Sequence, residues 1–349
     1  MHMADALVSP AVGGTMWAVS GGLIGYCSKR VRSLSDDRRV PLMGVLGAFV
    51  FAAQMINFSI PGTGSSGHLG GGLLLAVLLG PYAAFLAIAS VLVVQALFFA
   101  DGGLLALGCN IFNMGFLPCL VAYPLIYRKL AGNNPTPTRL WSACVAAAIL
   151  GLQLGAFAVV LQTVLSGISV LPFRTFAFLM QPIHLAIGVV EGLVTAAVVA
   201  FVRKSRPEVL DAVPLPRSTG RLGSRRVIVT LVAATIVIGG GLSWFASSRP
   251  DGLEWAVFKT SGKEELEPPE HGMHESLAGI QEKTSVLPDY SFALPEEDAA
   301  EPTSADWPAI DTGTTVAGLV GGCVTLLVVL AVGYGLSRRG GSRSGGVCV

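Results

Sequence analysis

Residues 81–100 read PYAAFLAIASVLVVQALFFA, twenty positions without a charged side chain. Coiled as an α-helix, such a run is about 30 Å long, enough to cross the hydrocarbon core of a bilayer. Comparable runs lie at 11–27, 41–57, 69–79, 103–127, 140–165, 181–202, 227–247 and 315–337. Their recurrence along most of the chain excludes a single water-soluble core. Composition agrees: of 349 residues 52% are apolar and only 13% charged, where a soluble domain carries about 25% charge. The expected fold is all-α, a polytopic integral membrane bundle of about seven helices followed by a C-terminal two-helix hairpin. The third run is short, and Gly80-Pro81 predicts a bend between it and the fourth.

Charge sets the expected orientation. Segments 28–40, 128–139, 203–226 and 338–343 hold 18 of the 23 Lys and Arg, so they are assigned to the cytoplasm. The stretch 249–311 carries 15 of the 22 acids against four bases and falls outside. An outside N-terminus and a cytoplasmic C-terminus satisfy every segment. The predicted organisation is a membrane module over 1–205, a Pro-containing basic linker over 206–226, and a second module over 227–349. The second module holds two helices around an acidic external loop at about 248–313. Its part 259–311, rich in Glu, Pro, Ser and Asp, is expected to be largely mobile.

Several chemistries are absent from the sequence. No Gly-Lys-Ser/Thr phosphate loop occurs, so a transporter built on this chain would not hydrolyse ATP itself and is not expected to be an enzyme. No G-x-S-x-G elbow or H-E-x-x-H helix appears, although His271 and His274 form an H-x-x-H in the external loop. Six scattered cysteines contain no C-x-x-C pair, which leaves no disulfide framework or thiolate site. Nucleic-acid binding has no support.

The chain starts Met1-His2-Met3-Ala4-Asp5, and no base precedes Lys29, unlike a cleaved signal peptide. The bulky second residue is expected to keep Met1 in place. A histidine in second position can chelate through the α-amine, the His2 amide nitrogen and imidazole Nδ1, in fused five- and six-membered rings. Three nitrogens in one plane suit Ni(II) or Cu(II) better than Zn(II), Mg(II) or Ca(II). His68, in a Gly-rich loop on the same expected membrane face, can fill the fourth corner. The competing reading makes His2 an ordinary terminal residue.

Asp5, Asp101 and Glu191 are the acids in or beside the first seven helices. Asp101 is expected to cap the helix that follows it. Asn57, Asn110 and Asn113 offer amides to tether the N-terminal strand or orient His68, and Ser66 sits in the same loop. His184 and Glu191, seven apart, share a helix face and are expected to pair structurally with other helices rather than ligate. His271 and His274 are expected in a solvated loop.

Four segments carry a family resemblance: Met1-His2-Met3-Ala4-Asp5, Pro61-Gly-Thr-Gly-Ser-Ser-Gly-His68, Asn110-Ile-Phe-Asn113-Met114-Gly115 and His184-Leu-Ala-Ile-Gly-Val-Val-Glu191-Gly192. Residues 1–205 resemble the substrate-capture component of energy-coupling-factor transporters for nickel and cobalt, the NikM/CbiM type. Residues 227–337, with Pro250-Asp251-Gly252-Leu253-Glu254-Trp255, resemble the accessory NikN/CbiN component, and fused chains occur in the family. The resemblance implies a metal held by the Met1 amine, the His2 amide and imidazole, and His68. It also implies a multi-pass cell-membrane location, a membrane coupling (T) subunit and two cytoplasmic ATPase (A) subunits. The ion is cargo, and no cofactor is implied. Met3-Ala4-Asp5-Ala6 departs from the Met-His-Ile-Pro-Asp-Gly start of many cobalt-type members, which favours Ni(II) with Co(II) as the alternative. The rival readings are an importer for a different small solute, and a sensor or metalloprotease built on the H-x-x-H loop.

Overall fold

The computed structural model describes residues 1–34, 40–205, 221–263, 266–269, 272–292, 308 and 310–341. Eleven helices account for most of these: α1 (Pro10–Leu34), α2 (Val40–Gln54), α3 (Gly72–Leu79), α4 (Pro81–Phe98), α5 (Leu107–Ala131), α6 (Pro137–Ser166), α7 (Phe173–Ser205), α8 (Arg221–Gly240), α9 (Gly252–Ser261), α10 (Met273–Thr284) and α11 (Thr312–Gly341). The remaining sheet is one two-residue antiparallel pair, Phe58–Ser59 with Ser66–Gly67, in the loop that carries His68. The chain is all-α, as its composition predicts. Among the described residues, α4, α5, α6, α7 and the Thr312–Arg338 part of α11 are long and apolar enough to cross a membrane.

The local breaks have local causes. Gly80 takes φ +81°, a value open to glycine, and Pro81 opens α4 where its missing N–H costs nothing. The chain therefore turns sharply after the eight residues of α3. Helix α5 contains Pro118 and Pro124, and its turns over Phe112–Tyr127 are widened to i→i+5 spacing. A proline cannot donate to the preceding turn, and a wider ladder tolerates that loss. Helix α7 begins at Phe173, eight residues before the apolar run read from the sequence, and a reciprocal Gln153–Gln181 side-chain-to-carbonyl pair ties it to α6.

The second module packs on the first through small residues. Leu330 of α11 lies over Gly44 of α2, where a Cβ would meet its Cγ at 2.7 Å, and Val329 lies over Gly47. In lipid such close approach supplies dispersion contact that apolar burial alone does not. The external segment departs from expectation: α9 and α10 are ordered helices that lie on the first module. Within 259–311 the difference concerns the described part, above all Met273–Thr284, which is helical and whose His274 and Gln281 have partners on the first module. Most of the linker (206–220), His271 and residues 293–307 lie outside the described residues.

Candidate metal centre

The N-terminal strand is sunk into the helix bundle. Met1, Met3, Leu7 and Val8 are buried. Asn110 on α5 grips Met3 from both sides, accepting from its N–H at 2.8 Å and donating to its carbonyl at 3.2 Å. The Gly103 N–H donates to the same carbonyl at 2.9 Å, and the Ala106 N–H donates to Asp5 Oδ1 at 2.9 Å. Burial pushes the Asp5 carboxyl above its usual range, while the backbone donors of Ala106 and Leu105 pull it back. Such two-sided backbone pairing fixes the strand's register, so Met1 and His2 arrive at a defined place.

His68 is presented from the other side by the Gly-rich loop. Its Nδ1 faces the Leu69 carbonyl at 3.1 Å. A carbonyl only accepts, so Nδ1 carries the proton and Nε2 keeps its lone pair. That lone pair faces the Met1 amine at 3.4 Å. Burial, then the nearby amine and His2, push the His68 imidazole down to about 3 and keep it neutral. Glu191 of α7 holds the loop from behind, accepting from the Gly70 N–H at 2.8 Å and the Gly71 N–H at 3.2 Å. Gln54 donates to the Gly70 carbonyl at 2.9 Å.

His2 completes the cluster. Its ring stacks parallel to that of His68, centroids 5.1 Å apart. Nδ1 lies 2.9 Å from Asp101 Oδ1, while Nε2 is buried with no hydrogen-bond partner. Burial alone would raise the Asp101 carboxyl, but His2 and Tyr290 outweigh it and hold it at about 2. The Tyr290 hydroxyl donates to the other oxygen, Oδ2. Asp251 Oδ2 accepts from the Met1 amine at 3.0 Å and lies 3.8 Å from His68 Nε2. Beneath, a narrow cavity lined in part by Met1, His68, Met114, His184 and Asp251 has room for about one water-sized guest.

No group of three or more His, Cys, Asp or Glu side chains suited to a metal occurs among the described residues. A metal seated here must therefore draw on main-chain nitrogen as well as imidazole. The neutral His68 imidazole and the His2 ring beside a buried amine, with Asp101 and Asp251 at hand to balance charge, offer donors suited to a borderline transition ion rather than to Ca(II) or Mg(II).

The structure brings Met1, His2 and His68 together and places Asp5, Asn110, Ser66 and Glu191 around them. Asn113 is one step removed: it exchanges hydrogen bonds with Gln162 and lies 3.7 Å from the Met3 sulfur. Asn57 serves the second module instead, its carbonyl accepting from the Ser247 N–H at 2.7 Å. His184 donates from Nδ1 to the Met180 carbonyl one turn back and lines the cavity. Two expectations are corrected. Asp101 does not cap a following helix: Ala100 adopts φ +54° at the end of α4, the Asp101 N–H returns to the Gln95 carbonyl, and the side chain swings to His2. His274 is not solvated: it is buried on α10, with Nε2 2.9 Å from the Val8 carbonyl.

Asp251 and Tyr290 escape a reading of the sequence because they lie 250 and 189 positions from their partners. A signal for α10 did exist: His274, Leu277 and Gln281 fall at i, i+3 and i+7, one helix face, and all three contact the first module or the core.

The site and bundle together define a helical membrane protein that buries its own amino terminus against a loop histidine. Comparison with known proteins gives the family. Residues 2–209 match the family described as the cobalt uptake substrate-specific transmembrane region, CbiM, and the chain belongs to it. Residues 225–338 match the PDGLE domain. A protein of Archaeoglobus fulgidus named for fused nickel transport (NikMN) is 32% identical over 97% of this chain and 98% of its own. The fused nickel transport protein NikMN of Rhodobacter capsulatus is 29% identical over 84% of this chain and 89% of its own. The cobalt transport protein CbiM of Sorangium cellulosum is 32% identical over 54% of this chain and 84% of its own. A crystal structure of a transition metal transporter superposes with a TM-score of 0.53 at 31% identity, covering 60% of this chain and 95% of that one.

Proposed function

We propose that this protein captures Ni(II) at the outer face of the cell membrane and delivers it as the substrate-specific subunit of an energy-coupling-factor importer. Co(II) is the alternative cargo. ATP hydrolysis falls to two cytoplasmic ATPase subunits acting through a membrane coupling subunit, because the chain has no phosphate loop of its own. The module boundaries 1–205, 206–226 and 227–349, and the outside N-terminus, belong to the same proposal. Relatives named for nickel and for cobalt transport support the class of cargo. The observation that carries it is the Met1 amine set 3.4 Å from the His68 Nε2 lone pair beside His2.

Two coordination modes follow from the His2 geometry. In the planar chelate, the Met1 amine, His2 amide nitrogen, His2 Nδ1 and His68 Nε2 surround the ion. Nδ1 faces Asp101 in the metal-free protein, so loading requires the ring to turn over and hand the carboxylate to Nε2–H. The buried, unpartnered Nε2 favours a second mode, in which Nε2 ligates while Nδ1–H stays on Asp101, an imidazole held by a carboxylate behind it. Ni(II) in four planar nitrogens is diamagnetic, whereas the second mode leaves the amide protonated and the ion paramagnetic. Magnetic susceptibility of the loaded protein separates them.

Calorimetric titration with nickel chloride tests the site itself. His2→Ala, which removes the ring-closing imidazole, His68→Ala, which removes the fourth donor, or several residues added before Met1, which carry the amine away, should each reduce binding by about a hundredfold or more, at or beyond the loss typical of an outer-shell partner. Binding that survives all three overturns the proposal, and intact-mass measurement verifies that Met1 is retained and unblocked.

A further inference from the structure

The segment Pro250-Asp251-Gly252-Leu253-Glu254 stands outside the chelating set, yet it presses on the centre through consecutive residues. The Pro250 carbonyl accepts from the Ser66 N–H at 2.8 Å and from its hydroxyl at 3.2 Å. Gly252 lies so close to α7 that a Cβ would meet Ile183 Cγ2 at 2.6 Å and His184 Cε1 at 3.3 Å. Leu253 is buried.

Asp251 divides its two oxygens between separate tasks. Oδ1 caps α9, accepting from the Leu253 N–H at 2.7 Å and the Glu254 N–H at 2.8 Å. Glu254 answers by accepting from the Asp251 N–H at 2.7 Å, which closes a capping box. The carboxylate is thereby locked in orientation, and Oδ2 is aimed at the Met1 amine at 3.0 Å with His68 Nε2 at 3.8 Å. A helix-capping role explains Oδ1 and leaves Oδ2 unexplained. An ion entering between the Met1 nitrogen and His68 Nε2 meets that fixed oxygen beside it. Opposite charges a few ångströms apart and shielded from water attract far more strongly than they do in solvent.

We propose that Asp251 is a positioning residue of the capture site, by which the second module holds the Met1 amine in register with His68 and balances the charge of the captured divalent cation. The proposal rests on reading this centre as the metal seat. It assigns the PDGLE segment a direct part in capture, so the seat is complete only when both modules are docked.

Asp251→Asn isolates this role, because asparagine caps helices as well as aspartate does and matches it in size. In the full-length protein, nickel chloride titration should show binding weakened about tenfold or more, as for removal of one buried charge from a pair. Without metal, the melting midpoint should also fall. That fall should vanish when one residue precedes Met1, since the amine then no longer reaches Asp251; a purely structural cap would give the same fall in both backgrounds. Parent-like nickel affinity in Asp251→Asn, with His68→Ala inactive, overturns this inference and leaves the metal seat standing. A midpoint shift that persists in the extended chain overturns it as well. Full nickel binding by His68→Ala overturns the seat, and this inference with it.

Discussion

At the scale of single residues, the centre sets charges against burial, and that opposition makes it sensitive to acid. His68 is neutral because burial, the amine and His2 push its imidazole down to about 3. In the unfolded chain the same imidazole titrates near about 6.5, so below that pH the unfolded state binds a proton that the folded state refuses. Stability is therefore lost as pH falls from about 6.5 towards 3. Asp101, held at about 2, and Asp251, held lower still by the amine after burial is overcome, act in the same direction but in a more acidic window. Their stabilisation is present above about 3.9 and lost only as pH falls through their folded values, so both are silent between pH 5.5 and 7.5. Metal-free protein should accordingly lose about 1 kcal/mol through His68 between pH 7.5 and 5.5. Comparing melting midpoints of the parent and His68→Ala across that range reads this directly; an equal slope in both would assign the loss elsewhere. The chelating residues were legible in the sequence because Met1 and His2 are covalent neighbours and their geometry is local. Asp101 was not, because its role follows from the left-handed turn at Ala100, a conformation that alanine rarely signals.

At the scale of elements, the helices follow from hydropathy, and the bed that receives the N-terminal strand does not. Gly102, at φ +82°, and Gly103 form that bed between α4 and α5. A Cβ on Gly103 would collide with the Asp5 carboxylate and lie 2.5 Å from the Asp5 nitrogen, too close for any side-chain adjustment to relieve fully. Gly103→Ala should therefore expel the strand while leaving α4 and α5 intact. Circular dichroism should be unchanged and nickel binding lost, whereas retained binding would mean that the strand tolerates a shifted register. Helices α9 and α10 were hidden for another reason. The polar composition of α10 matches a solvated loop, because only a narrow stripe of it is covered, His274, Leu277 and Gln281, while α9, half apolar and burying Leu253, Ala256 and Val257, has only ten residues, too few to read as a span. A narrow buried stripe leaves the average hydropathy low even where the backbone is firmly held.

At the scale of the whole molecule, the two modules meet through contacts that do not depend on the peptide joining them. Within the helix layer, α11 lays Leu330 and Val329 over the glycines of α2, and Gly333 of α11 packs against Val40 of α2. Outside it, His274 reaches Val8, Gln281 donates to the Ala96 and Gly102 carbonyls, and Leu287 and Asp289 donate to the carbonyls of Phe98 and Phe99. The outer contacts close on Val8 of the N-terminal strand and on the end of α4 and the turn that beds that strand, so under the proposal above docking and completion of the seat are one event. On that proposal the seat draws on residues outside 206–220, and the joining peptide supplies effective concentration. Cleavage at a protease site inserted within 206–220 should leave both fragments associated in detergent, with nickel affinity within about twofold of the uncut chain, since the contacts between the modules join residues on either side of the cut and none uses 206–220. Association measured by size-exclusion chromatography and affinity by titration must agree. If the fragments separate and affinity falls with them, the modules are too weakly paired to hold the seat unaided. If they stay together and nickel is still lost, the linker itself shapes the site, and the direct contacts described above are insufficient to account for capture.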